Sequence, residues 1–141
     1  MPPKLIGYLC KSGAFAFYET GHALLRNLPR GFQALPVLHL PQVGFTEIAK
    51  AFRLGAAGVL LAGCETCRAA PEREAIVQQH AELVRELERY GGSAERLVLA
   101  WCTAAEPEKF FAEVSAAIAK LQDLPPLSLP RTLEAAIAHC G

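Results

Sequence analysis

The sequence predicts an α/β protein: an open, flavodoxin-like parallel sheet of four strands in the order 2-1-3-4, flanked by helices. Three observations lead there. Strand-like and helix-like segments alternate with short connections, the pattern of βαβ units. Gly58 to Ala62 (GVLLA) is an almost unbroken apolar run, as expected of a strand buried on both faces of a parallel sheet. The simplest open sheet of four such strands with right-handed crossovers has its switch point between strands 1 and 3.

The chain has 141 residues, enough for one domain with a real core. Residues 1–123 read as that domain, and 124–141 as a proline-rich linker with a short helical tail. Apolar residues make up 52% and charged residues 20%, a balance that suits a globular protein with part of its surface covered by a partner. Fourteen basic residues balance fourteen acidic ones, so no electrostatic footprint for nucleic acid or anionic lipid is expected. The N-terminal MPPKLIGYLC does not read as a signal peptide, and no apolar run approaches the roughly 20 residues that span a bilayer. A cytoplasmic protein without membrane insertion is the expectation. Five cysteines in a reducing compartment then point to metal ligation, redox chemistry or inert burial rather than to structural disulfides.

The first strand is Lys4 to Leu9, ending at Cys10. A loop through Ser12 and Gly13 leads to a helix over Ala14–Leu28, with Phe17, Leu24, Leu25 and Leu28 at helical spacing and Pro29 stopping it. Ala34 to Leu40 is the second strand, and Pro36 assigns it to an edge because proline cannot donate to a ladder. In the next helix Phe45, Ile48, Ala49 and Phe52 form the inner stripe, and Gly55 is its left-handed cap. The third strand is the Gly58 run. Pro71 then opens the longest helix, Glu72 to Tyr90, with Ile76, His80, Leu83, Val84 and Leu87 on one face. Arg96 to Thr103 is the fourth strand, and Glu106 to Asp123 the fourth helix, with Pro107 in its tolerated first turn. Leu124 to Pro130 is extended, and Thr132 to His139 is a helical tail.

In this topology Cys10, Cys64, Cys67, Cys102 and His39 all fall at one edge of the sheet, beyond the strand ends. A thiolate cluster there suits a soft metal, either zinc or an iron–sulfur cluster. Cys64 and Cys67 have the C-x-x-C spacing that lets one loop grip one metal. Cys10 and either His39 or Cys102 complete four. Each also has a plainer reading: Cys102 as a small core hydrophobe, His39, His22 and His80 as structural or solvated histidines, and Cys140 as an incidental thiol. A dithiol–disulfide switch at Cys64/Cys67 ranks last, because the loop lacks the thioredoxin surroundings. The KSGAF loop is too poor in glycine and hydroxyls for a flavin phosphate nest.

LIGYLC, AFRLGAAGVLLAGC and LVLAWCTAAEPEKFFAEV, in this order, carry a family resemblance. Over roughly residues 4 to 121 the chain resembles the delta subunit of methyl-viologen-reducing hydrogenase, also found fused to heterodisulfide-reductase-like flavoproteins. Its most specific parts are GAAGVLLAGC and the pattern of Trp101, Ala104, Glu106, Lys109 and Phe110. The resemblance implies a 2Fe–2S cluster that relays electrons between redox subunits and a flavin-bearing, heterodisulfide-reductase-like partner. It also implies the ligands: Cys10 matches the first cysteine of the family's first C-x-x-C, Cys64 the cysteine after Gly63, and Cys67 the following one. Two positions depart. Gly13 stands where that first motif has its second cysteine, and His39 where the family has a cysteine after strand 2. The family-like set is then Cys10, His39, Cys64 and Cys67, and histidine ligation would raise the cluster's potential. The alternative implied by the losses is a cluster-free docking subunit that keeps only the fold.

Overall fold

The computed structural model describes residues 3–20, 23–69 and 71–127, with backbone alone for Thr20, Ala23 and Leu24. Four parallel strands, β1 (Leu5–Cys10), β2 (Phe32–Val37), β3 (Gly58–Gly63) and β4 (Leu97–Trp101), form one sheet in the order β2-β1-β3-β4. This is the sheet the sequence predicts. Pro36 lies on β2, an edge strand with a neighbour on one side only, where a missing N–H is tolerated.

β3 is buried along its whole length, and its side chains alternate between two cores. Leu60 and Ala62 face one side, where Phe110, Val114, Ile118 and Leu121 of α5 (Pro107–Gln122) pack with Leu5 and Leu9. Val59 and Leu61 face the other, against Ile48 and Phe52 of α2 (Phe45–Arg53) and Ile76, Leu83 and Leu87 of α4 (Glu72–Arg89). The period of two is what lets one short strand bind two helix layers together. Gly55 ends α2 at φ +104°, a left-handed backbone that suits glycine.

Three local features depart from the sequence reading. The single helix expected over Ala14–Leu28 is instead a π-helical turn (Lys11–Phe15), a short α1 (Ala16–Thr20) and a 3₁₀ segment (Ala23–Asn27). The turn begins with the N–H of Ala14 bonded to the Cys10 sulfur at 3.2 Å, so the cysteine end of β1 sets its path. Gly21 lowers helix propensity between the pieces. Second, β2 ends at Val37, and His39 precedes a 3₁₀ turn (Leu40–Gln42) containing Pro41, which sends Leu40 into the core. Third, the turn after β3 is a four-residue helix, α3 (Glu65–Arg68).

The start of the expected linker packs on the domain. Arg96 is 5% exposed, donates to the Ala57 carbonyl at 3.0 Å and also bonds the Pro125 carbonyl, while Leu127 joins the α2/α4 core. The tail helix, Cys140 and His22 lie outside the described residues. Among the described residues no helix is long and apolar enough to cross a membrane.

Candidate metal centre

β1 and β3 are neighbours, with Leu9 paired to Ala62, so the segments that follow them leave the sheet side by side. One carries Cys10 at the end of β1. The other carries Cys64, at the cap position of α3, and Cys67 within it. The thiols of Cys10, Cys64 and Cys67 all lie within 4.8 Å of one another. Cys10 is buried, and Cys64 and Cys67 are half-buried. The Cys64 and Cys67 sulfurs are 3.8 Å apart.

Two glycines make this convergence possible. A Cβ on Gly13 would stand 2.4 Å from the Cys64 sulfur, 2.5 Å from its Cβ and 3.2 Å from the Cys10 sulfur. A Cβ on Gly63 would stand 2.7 Å from the Cys67 Cβ and 2.8 Å from the Trp101 ring. The backbone of the Lys11–Phe15 turn therefore forms one wall of the site, and Trp101 covers Gly63 beside Cys67.

Cys102 is 1% exposed and packs in the same core as Cys10; its N–H donates to the Gly63 carbonyl at 2.8 Å. His39 is exposed and lies outside the three-thiol group. His80 is tied to the Leu97 carbonyl at 2.9 Å, a structural bond.

The thiols differ in character. Burial pushes the Cys64 thiol up, but the backbone N–H groups of Cys67 and Thr66 and the neighbouring thiols more than offset this, so its pKa falls below the usual thiol value. Burial pushes Cys67 up to about 12, helped by the charges of Cys10 and Cys64. Cys102 is likewise pushed up to about 12, chiefly by burial and then by the same two charges. Three crowded thiols cannot all ionise alone; a cation among them relieves that repulsion. Soft donors, a low-pKa member and mutual proximity together fit a thiophilic metal or an iron–sulfur group.

A carboxylate borders the site. Glu106 accepts from Arg68, the residue after Cys67, at 2.5 Å and from Lys109 at 2.6 Å, and these two cations hold its carboxyl down at about 2. Sequence reasoning singled out Glu106 and Lys109 only as motif positions, and Gly13 only as a missing thiol. An arginine directly after C-x-x-C was the available signal for the first.

A family model, methyl-viologen-reducing hydrogenase, delta subunit, matches residues 5–125. The chain belongs to this family. The delta-subunit match spans all four strands and the three converging thiols. A relative from Methanococcus voltae, an iron-sulfur subunit of the F420-non-reducing hydrogenase vhc, is 25% identical over 129 residues, covering 90% of each chain. Membership makes this protein a relative of the subunits of hydrogenase complexes.

Proposed function

We propose that this delta-subunit homologue is an electron-transfer subunit of a multi-subunit oxidoreductase, holding an iron–sulfur group on Cys10, Cys64 and Cys67. The convergence of those three thiols on one end of the sheet carries the reading. The name of the Methanococcus voltae relative, an iron-sulfur subunit, supports it. A 2Fe–2S cluster is the proposed form. Cys102, buried in the same core as Cys10, is proposed as the fourth donor ahead of exposed His39; both lie outside the three-thiol group.

Bound there, the group supplies a one-electron carrier. The chain's own residues set its surroundings. The α5 core covers the thiols on one side and Trp101 packs against Gly63 beside Cys67, while the half-exposed Cys64–Cys67 turn is open to a partner. A flavin-bearing, heterodisulfide-reductase-like subunit is the proposed partner, met in the cytoplasm.

A second reading, a cluster-free docking subunit or one with zinc, is favoured by one observation: Gly13 supplies no thiol where the family motif has one. Anaerobic purification with visible absorbance and an iron and zinc assay separates them. A dithionite-bleached spectrum with about two irons per chain is the expected result. A folded, colourless, metal-free chain would overturn the electron-transfer reading, and zinc without colour would make the site structural.

A further inference from the structure

We infer that Glu106 is a positioning residue for the thiol site, clasping the cysteine-bearing turn to the first turn of α5. This rests on the proposed role of Cys64 and Cys67 and extends it to a residue outside the donor set.

α3 needs outside support. Its four residues are too few to hold a helix by themselves, and none is buried. Yet it must present Cys67, and Cys64 before it, to Cys10 on another strand. Its last residue, Arg68, reaches Glu106 Oε1 at 2.5 Å across 38 positions of sequence. The other carboxylate oxygen, Oε2, takes Lys109 Nζ at 2.6 Å. Lys109 sits one turn further along, so it fixes the carboxylate from the α5 side while Arg68 pulls the turn onto it. Trp101, against Gly63, holds the start of the same turn. One short strand end and helix start, Trp101 to Lys109, thus grips α3 at both ends.

The side chains of Arg68 and Glu106 are 40% and 25% exposed, and ion pairs so placed contribute little to global stability. The consequence of the clasp is local: the place of Cys67 relative to Cys10, and the charge beside the thiols. Without Glu106, the Arg68 charge one residue from Cys67 keeps only the weaker influence of Glu65.

The experiment compares wild type, Glu106→Gln, Arg68→Gln and the double variant, each reconstituted anaerobically with iron and sulfide. Chelator-driven bleaching of the visible chromophore is timed, and the reduction potential is measured. Amide exchange of residues 64–69 is followed in the metal-free chain, and thermal unfolding is recorded. Both single variants are expected to bleach about 10-fold faster, the size outer-shell contacts show in metal sites. Exchange in 64–69 should quicken while the unfolding midpoint stays put. Glu106→Gln should also move the potential positive, and the double variant should move it back while still bleaching fast. Wild-type rates of bleaching and exchange in both single variants would overturn the inference. If wild type takes up no iron, the proposed function fails, and the exchange data still decide the clasp. Should Glu106→Gln fail to fold, Arg68→Gln opens the clasp from its more exposed end and decides it.

Discussion

Gly13 and Cys64 are in contact, and the contact leaves no room for a side chain at residue 13: a Cβ there would meet the Cys64 sulfur at 2.4 Å and its Cβ at 2.5 Å. The Cys64 Cβ is fixed by the backbone and cannot rotate away. Gly13→Ala is therefore expected to push the β3 turn outward, to destabilise the fold by about 1–3 kcal/mol as overpacking does, and to abolish metal uptake. Urea unfolding and iron per chain check this. Uptake at the wild-type level would show that the turn relaxes freely and that Gly13 is not required.

Removing donors one at a time should sort the site residues. Cys10→Ser, Cys64→Ser and Cys67→Ser are each expected to lose the visible chromophore after anaerobic reconstitution, because each thiol belongs to the converging group. Cys102→Ser should lose it as well if the buried thiol is the fourth donor, whereas His39→Ala should retain it. Loss in His39→Ala with retention in Cys102→Ser would reverse the proposed fourth ligand.

The metal-free thiols should react in a fixed order. Cys64, its pKa lowered, carries more thiolate at neutral pH than Cys67 and Cys102, both held near 12, and should be alkylated ahead of them. Peptide mass spectrometry over a time course reads the order directly. The sign for stability follows from the same shifts. A thiol raised from about 9 to about 12 stays protonated in the folded chain while the unfolded chain ionises, so stability present below about pH 9 is lost as pH climbs toward 12. Cys102→Ala should flatten that alkaline slope.

Arg96 pins the far end of the domain through the Ala57 and Pro125 carbonyls. Replacing it with Met keeps much of the stem but leaves the part-buried Ala57 carbonyl without its donor. A loss of about 1.5–3 kcal/mol is expected in urea unfolding, with the metal content unchanged because Arg96 lies at the opposite edge of the sheet from the thiols. A change in metal content would mean that the two edges are coupled.

Phe110 is fully buried beneath β3 and meets Phe32 edge-on, with ring centroids 6.1 Å apart. Phe110→Ala is expected to cost about 3–5 kcal/mol, the range for emptied aromatic core sites, as measured by chemical unfolding.

The sequence by itself determined the sheet and much of the candidate site. The apolar run Gly58–Ala62 reads as a doubly covered strand, Pro36 suggests an edge strand, and 2-1-3-4 is the simplest order for the strand–helix alternation; the sheet has all three. That order puts the ends of β1 and β3 together, and so Cys10 beside Cys64 and Cys67. These features are legible because they rest on periodicity and on connection rules, which act along the chain.

Tertiary structure alone decided the rest. Whether His39 stays at the strand end depends on Leu40 being drawn into a core that the sequence does not display, and the 3₁₀ turn leaves His39 exposed. The expected helix over Ala14–Leu28 begins instead with a π-helical turn, because the Ala14 N–H bonds the Cys10 sulfur. Gly13 reads in sequence as a missing thiol; in space it is the gap that Cys64 fills. Glu106 reads as a motif letter, and only the fold brings it to Arg68. The common reason is physical. Close approach and ion pairing between distant segments depend on side-chain distances of a few ångströms, and those are set by packing, not by local pattern.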